Sequence, residues 1–313
     1  ASRDTLFSMN EAECYLCKSN NYRLIARKSK YRIFKCQNCS FVFTTPIPYK
    51  KEIDEFYSKF DYKDSLLAEK VIRSDAKRSL GKISKYVKTV GELLDVGCGR
   101  GYFLDEARKL GWKTHGVDAS ELVTDYARSK LHLDVFRGDI FSFQITQAFD
   151  LITLNQVIEH FVNPEELINQ CDKHLVRGGL LYIATPNVES VSARVLKDNF
   201  DHYIPPEHLS YFSQRTLKKL LEKLGYKVLY VGSWSYPADL GGIIKALLGK
   251  RVQSKQFSQL LNKNQGETSY RSSRFNIKQV KSFLFDRIFC HLLYKVLNFD
   301  SWGINLEVLA IKL

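Results

Sequence analysis

No stretch of this chain stays apolar for anything near the roughly eighteen residues that a membrane-crossing helix needs, which excludes an obvious helical span. Methionine is almost absent. Its one copy is Met9, and residues 1–8 are set aside from fold reasoning as a segment ahead of a candidate start. No secretory leader is expected, and the seven cysteines are an odd number, which suits a reducing compartment better than a disulfide framework. The expectation is a cytoplasmic protein, with peripheral contact at a membrane left open. Acidic residues are short as well, 34 against 47 Lys and Arg, leaving a net charge of +13. The shortage is local: residues 1–60 carry 11 basic and 6 acidic side chains, 61–240 carry 24 of each, and 241–313 carry 12 and 4. A neutral centre with basic flanks is either solvated surface or a device that recruits an anion. Candidate anions are a nucleotide-sugar diphosphate, a lipid-linked diphosphate, anionic lipid and, less favoured, nucleic acid. With 44% hydrophobic residues in 313, the chain can bury one large core and a small module.

The small module is marked by cysteine. Cys14-x-x-Cys17 and Cys36-x-x-Cys39 stand eighteen residues apart, the spacing of a four-thiolate zinc ribbon built from two knuckles. Four thiolates around one ion replace a core that about forty residues cannot supply, structural zinc being worth on the order of 10 to 16 kcal/mol in small peptides. No histidine or carboxylate interrupts the set to leave an open coordination position, so the zinc is expected to be structural. Cys98, Cys171 and Cys290 lie in apolar or cofactor-loop contexts.

The stretch E-L-L-D-V-G-C-G-R-G, Glu92 to Gly101, reads as a buried strand breaking into a glycine-rich turn, with a helix from Tyr102 behind it. A dinucleotide fingerprint is excluded, because G-x-G-x-x-G would place its third glycine at position 102, which is Tyr. Downstream, W-K-T-H-G-V-D-A-S reads as a second strand ending at Asp118, where α/β folds place an acid for ribose hydroxyls. R-G-D-I follows a third strand with Asp139 and Ile140. F-D-L-I-T-L-N-Q-V-I-E-H is a fourth strand running into a loop, and Asn163-Pro164 opens a helix. L-L-Y-I-A-T-P-N after Arg177-Gly178-Gly179 is a fifth strand, which completes the strand–helix alternation of a parallel sheet covered on both faces.

These motifs, in this order from Gly91 to Tyr230, resemble the class I S-adenosylmethionine-dependent methyltransferases, with D-x-G-x-G-x-G as their first motif. The resemblance implies an α/β, Rossmann-like sheet and S-adenosylmethionine as cofactor. It implies cofactor contacts from Asp95, Gly97, Gly99, Gly101, Asp118, Ala119, Asp139, Ile140 and Asn155, with Asp139 near the adenine. Read this way, residues 1–50 hold the N-terminal segment and ribbon, 51–90 a helical and aromatic linker, and 91–234 the core. Residues 235–304 form an insertion and 305–313 the last strand. K-V-L-Y-V-G-S-W and N-L-E-V-L-A-I-K-L are expected to close the sheet as an antiparallel pair.

Acceptor chemistry belongs to the loops after the fourth and fifth strands. P-P-E-H-L-S-Y-F-S, Pro205 to Ser213, places Glu207 beside His208 in a proline-led segment before a helix over Thr216 to Leu224. Together with the cysteine cluster it resembles the zinc-containing sugar methyltransferases of deoxysugar and glycan pathways. That resemblance implies a Glu207–His208 pair at the acceptor with His208 as base. The sequence departs from the C-methylating subgroup in two ways: its ribbon has a C-x-x-C-S-F-V-F-T-T-P-I-P ending, and that subgroup's third domain is not expected beyond strand six. V-I-E-H, with Glu159 and His160, is similar to small-molecule O-methyltransferases of the ubiquinone-pathway type, which makes His160 a second catalytic candidate; a cap for the helix after Asn163 is its structural alternative. His202 and Tyr203 are candidates to orient substrate. Tyr57 and Tyr62 are candidates to pack or to close over the cofactor.

The insertion combines a short apolar stretch, Leu240 to Leu248, with Lys245, Lys250 and Arg251. It also carries Phe285, Phe289, Leu292 and Val296 at helical spacing, read as a helix packed as a lid. The function expected is methyl transfer to oxygen of a sugar, glycan intermediate or related small molecule. A nucleic-acid or protein methyltransferase docking through the ribbon is the alternative, weakened by Asn155-Gln156-Val157-Ile158 standing where amino-methylating nucleic-acid enzymes carry N-P-P-Y or D-P-P-Y. A non-enzymatic scaffold is disfavoured by the retained acids Asp95, Asp118 and Asp139.

Overall fold

The computed structural model describes residues 13–49, 51–53, 66–143, 147–236 and 302–313. The insertion from 237 to 301, with its expected lid helix and basic residues, lies outside the described residues, as do Tyr57, Tyr62 and Cys290. At the N-terminal end the two cysteine knuckles flank an antiparallel meander: β1 Tyr22–Lys28, β2 Tyr31–Cys36 and β3 Val42–Thr45. Phe41-Val42-Phe43-Thr44 is buried throughout, more apolar surface than so small a unit can cover by itself.

Helix α1, Leu66–Ile83, lies within the 51–90 segment read as a helical linker. The alternating core follows: β4 Glu92–Val96, α2 Tyr102–Lys109, β5 Lys113–Asp118, α3 Glu121–Leu131, β6 Asp134–Arg137, β7 Phe149–Asn155, α4 Pro164–His174 and β8 Leu175–Pro186. Helix α5, Val191–Leu196, the two-residue strand β9 at Ser210–Tyr211, and helix α6, Gln214–Lys223, lead to β10 Tyr226–Trp234 and β11 Asn305–Lys312. Helix α6 starts two residues earlier than the sequence suggests because Ser213 caps it, its hydroxyl accepting from Thr216 N at 3.3 Å while Ser213 N donates to Thr216 Oγ1 at 2.9 Å.

Seven strands form one sheet in the order β10-β11-β8-β7-β4-β5-β6. Strands β8 to β6 run parallel, and β11 is antiparallel to both of its neighbours, which gives the expected closing pair. Side chains of one strand alternate between two cores: Leu94 and Val96 face one, Leu93 the other, as Ile152 and Leu151 do on β7. Burial on both faces is the signature of helices covering a parallel sheet. The order reverses at β4, with β5 and β6 added on one side and β7 and β8 on the other. Such a reversal opens a crevice at the carboxyl ends of β4 and β7, where α/β sheets take their ligands.

The ribbon is not a free-standing unit ahead of residue 50. Strand β3 pairs with β9, so the meander becomes a four-stranded sheet whose last strand comes from the acceptor-side loop. Cys14, Cys36, Phe41 and Phe43 share one core with Leu94, Ile183 and Phe212. Helix α1 is fastened to the opposite core. Arg73 donates to Asp105 at 2.6 Å and Glu106 at 2.7 Å on α2, and the fully buried Glu307 of β11 accepts from Arg78 at 2.7 Å, from Tyr182 at 2.8 Å and from Lys82.

Candidate functional site

The glycine loop sits at the crevice. Gly97, Gly99 and Gly101 all take left-handed φ values, +70°, +53° and +79°, which side-chain-bearing residues rarely adopt. They serve different neighbours. A Cβ on Gly97 would stand 2.6 Å from Val157 Cγ2, so that glycine lets the loop after β7 lie against the loop after β4; a Cβ on Gly99 would meet nothing within 4 Å. Open space beside Gly99, and a first turn of α2 that no side chain caps, fit a ligand held by backbone amides.

Two acids frame the loop. Asp95 is buried and spans the switch point, accepting from Thr153 Oγ1 at 2.6 Å and Asn155 Nδ2 at 3.1 Å on β7. Burial pushes its carboxyl up to about 7, with the negative charge of Asp118 adding to the rise. Asp118, at the end of β5, accepts from Gly99 N and from Ser120 N, both at 2.9 Å, and burial raises its carboxyl too. Asp118 thus fixes the loop from one side, while Asp95 ties the strand that precedes it to β7. Two desolvated carboxyl groups beside an open backbone cradle favour a cationic ligand, which S-adenosylmethionine, carrying a sulfonium and an ammonium, matches. Ala119 is exposed next to Asp118. Asp139 is exposed and folds onto its own turn, accepting from Ser142 N at 2.7 Å, while Ile140 is buried beneath it.

A cluster of titratable side chains lies across the crevice. His160 follows β7 on a short 3-10 turn, Ile158–His160, and its ring lies 5.0 Å from that of His208; the His202 ring stacks on His208 at 5.9 Å. His208 is buried, and its Nδ1 lies 3.0 Å from the His202 carbonyl oxygen. A carbonyl only accepts, so Nδ1 carries the proton and Nε2 the lone pair. Burial, with His160 and His202 adding to it, holds this imidazole well below the usual histidine range, hence neutral. Glu207 does not make the expected pair: among the described residues no hydrogen bond joins its carboxyl to His208. Consecutive residues on this turn present different groups, and Glu207 contributes its backbone carbonyl to His160 Nδ1 at 2.9 Å. Burial raises the Glu207 carboxyl to about 7.

His160 is placed beside His208, and its Nε2 lies 3.1 Å from the Gln156 carbonyl oxygen; burial lowers its pKa, and a neutral ring donates to only one of its two carbonyl neighbours. It does not cap α4; Asn163 does so itself, accepting from Glu166 N at 3.3 Å. Tyr203 packs edge-on against Tyr211 at 5.1 Å and is buried, a core contact rather than an orienting one. Glu159 went unassigned in the sequence although V-I-E-H contains it. It is 1% exposed, accepts from Thr185 Oγ1 at 2.9 Å, leaves Oε1 without a hydrogen-bond partner among the described residues, and is pushed by burial up to about 8.

The four ribbon thiols come together. Their sulfurs lie within 4.8 Å of one another, with Cys14–Cys39 and Cys17–Cys36 at 3.5 Å. A tetrahedron with metal–sulfur bonds near 2.3 Å has edges of about 3.8 Å, so the set fits a four-coordinate ion and is far from the roughly 2.0 Å of a disulfide. Glu159, His160 and His208 also lie close enough to share an ion, but each ring nitrogen of His160 already has a backbone carbonyl oxygen 2.9 or 3.1 Å away.

A glycine loop at a β4/β7 switch point, an acid closing β5 and an acceptor-side loop after β7 define an α/β domain of the S-adenosylmethionine-dependent methyltransferase class. The family model described as "Methyltransferase domain" matches residues 68–231, more than half of the chain, and the chain belongs to that family. A probable S-adenosylmethionine-dependent methyltransferase of Mycolicibacterium smegmatis is 27% identical over 139 residues, covering 44% of this chain and 52% of that protein. A ubiquinone biosynthesis O-methyltransferase of Coxiella burnetii is 34% identical over 101 residues, 30% of this chain and 43% of that one. The chain spans about half the length of the curated relatives it matches. Among solved structures, a SAM-dependent methyltransferase from Archaeoglobus fulgidus aligns at 19% identity and TM-score 0.49, covering 85% of this chain and all of its own.

Proposed function

We propose that this chain methylates a hydroxyl oxygen of a small polar acceptor, of the sugar or glycan-intermediate class, using S-adenosylmethionine. The carrying observation is the buried His208 ring, whose Nδ1–H is held by the His202 carbonyl so that the Nε2 lone pair is left to take a proton. The cofactor supplies an electrophilic methyl group, and the chain's residues position the acceptor hydroxyl and receive its proton as the oxygen–methyl bond forms. Positioning in line contributes roughly 7 to 11 kcal/mol in well-oriented systems, and a base contributes a further factor of about 100 to 10,000. Two supports favour oxygen: a neutral imidazole is suited to a hydroxyl proton, and several relatives are named for O-methylation. Structural zinc in the Cys14, Cys17, Cys36 and Cys39 set belongs to the same reading. So does an anionic or lipid-linked acceptor drawn in by the basic residues of 241–313.

Methyl-labelled cofactor incubated with the protein and fractionated small-molecule extract tests the proposal. Label expected in a base-stable ether of a hydroxylated acceptor supports it. Label on nitrogen, on carbon or on macromolecules would overturn it.

A further inference from the structure

We propose that the cysteine ribbon forms one wall of the acceptor site and that Thr44 is a positioning residue holding the His208 segment in place. The inference rests on the reading of His208 as base and deepens it. Strand β9 has two residues and no partner in the seven-stranded sheet; its ladder is made with β3, Val42 opposite Tyr211 and Phe43 opposite Ser210. Thr44 extends that ladder, its N–H donating to Leu209 O at 2.9 Å. The His208 carbonyl then receives two hydroxyls, Thr44 Oγ1 at 3.3 Å and Tyr211 OH at 2.8 Å, which lie 3.1 Å from each other. Thr44 is 0% exposed, Tyr211 2% and His208 6%, so no water substitutes for these bonds at small cost.

The hold continues into the cysteine set. Tyr15, next to Cys14, donates to Thr44 O, and its ring packs on Phe43 at 5.0 Å. The second knuckle closes through Cys36 N to Phe41 O at 2.8 Å and Ser40 N to Cys36 O at 3.1 Å, and β3 starts directly beyond it. From the other side the same segment is tied to the loop after β7, with Leu209 N donating to Glu159 O at 2.8 Å and Ser210 Oγ to Phe161 O at 2.6 Å. His208 therefore stands on a strip clamped between the ribbon and the core. A two-residue strand does not hold its geometry without a partner, and an ångström of misplacement at a reacting group can cost about a hundredfold in rate. Ribbons used only for docking a partner need no such bond network into the catalytic loop.

Three forms of the full chain test this: wild type, Thr44→Val and Thr44→Ser, each checked for zinc content and for S-adenosylhomocysteine binding by calorimetry. The imidazole nitrogen signals of His208 are read by NMR, with assignment by His208→Gln, and amide exchange is read over residues 200–212. In the wild type the Nδ1–H tautomer is expected to dominate. Thr44→Val is expected to mix in the Nε2–H tautomer and to accelerate exchange at Leu209 about tenfold or more, with zinc content unchanged and cofactor affinity within twofold. Thr44→Ser is expected to restore both signals. Stripping the metal from the wild type with a chelator should reproduce the exchange effect. Unchanged His208 signals and unchanged exchange in Thr44→Val would overturn the inference. Absence of S-adenosylhomocysteine binding to the wild type would instead defeat the functional reading on which it rests.

Discussion

At the scale of single residues, the two histidines facing each other at 5.0 Å are separated by what their nitrogens touch. His208 has one carbonyl partner and one remaining lone pair, whereas both His160 nitrogens face carbonyl oxygens, to only one of which a neutral ring can donate. His208→Ala is expected to lower turnover by roughly 100 to 10,000 fold with cofactor affinity unchanged, whereas Glu207→Gln should cost little, since its carboxyl does not orient the ring. The check is kcat and KM for each variant on the acceptor found by labelling. Because burial lowers the His208 pKa, the base stays unprotonated as pH falls, so the acid limb of kcat/KM should lie below the ordinary histidine value of about 6.5. An acid limb above 7 would show that another group supplies the base. The sequence made the histidines legible through their neighbours in E-H-L-S-Y-F-S and V-I-E-H. It did not make their roles legible, because the His202 and Glu207 carbonyls that separate them are backbone atoms, which every residue carries.

The glycines divide in the same way. Gly99→Ala should weaken S-adenosylhomocysteine binding by introducing a side chain into the open space of the cradle and straining a left-handed backbone, while Gly97→Ala should also destabilise the fold by colliding with Val157. Calorimetry with a melting curve separates the two. The D-x-G-x-G-x-G pattern foretold the loop, but the division of labour among its glycines depends on Val157, about sixty residues downstream.

At the scale of elements, most of what was readable came from periodicity: the five parallel strands and their helices lie where alternation placed them, the central strands β4 and β7 being buried on both faces. The partner of β3 was not readable, since a two-residue strand leaves no periodic trace. Thr44 gave one faint signal, a polar residue inside F-V-F-T-T that is fully buried. The tie between α1 and β11 was equally hidden, being made by charged residues more than two hundred positions apart. It has a measurable consequence. Positive charge from Arg78 and the Lys82 hydrogen bond outweigh burial and lower the Glu307 pKa, so its contribution is present above the unfolded value of about 4.5 and is lost as pH falls through the folded one. Glu307→Gln is therefore expected to destabilise clearly at pH 7, where breaking a buried ion pair costs on the order of 3 to 5 kcal/mol, and the gap to wild type should narrow at a pH below the ordinary carboxylate range. Urea unfolding at the two pH values reads it, and a pH-independent difference would mean that shape rather than charge holds α1.

At the scale of the molecule, the four-cysteine module and the methyltransferase sheet share one core, and β3 pairs with β9 on the loop that carries His208. Elemental analysis should find one zinc per chain. Cys36→Ser should lose it, loosen residues 13–45 and slow methyl transfer, yet leave S-adenosylhomocysteine binding in place. Loss of cofactor binding in step with zinc would show the two halves to be one cooperative unit. Cys-x-x-Cys spacing made the meeting of the four thiols legible. The module's attachment to the acceptor side was invisible, because the contacts that make it, Phe41 on Phe212 and Thr44 on His208, join segments some 165 residues apart.

Calorimetric titration of the full chain with S-adenosylhomocysteine and with NAD measures most directly what occupies the switch-point loop. One site per chain for S-adenosylhomocysteine is expected, weakened tenfold or more by Asp118→Ala with the melting transition still cooperative, and no saturable heat with NAD. Saturable NAD binding with no heat from S-adenosylhomocysteine, or an Asp118→Ala protein that binds as tightly as wild type, would contradict it.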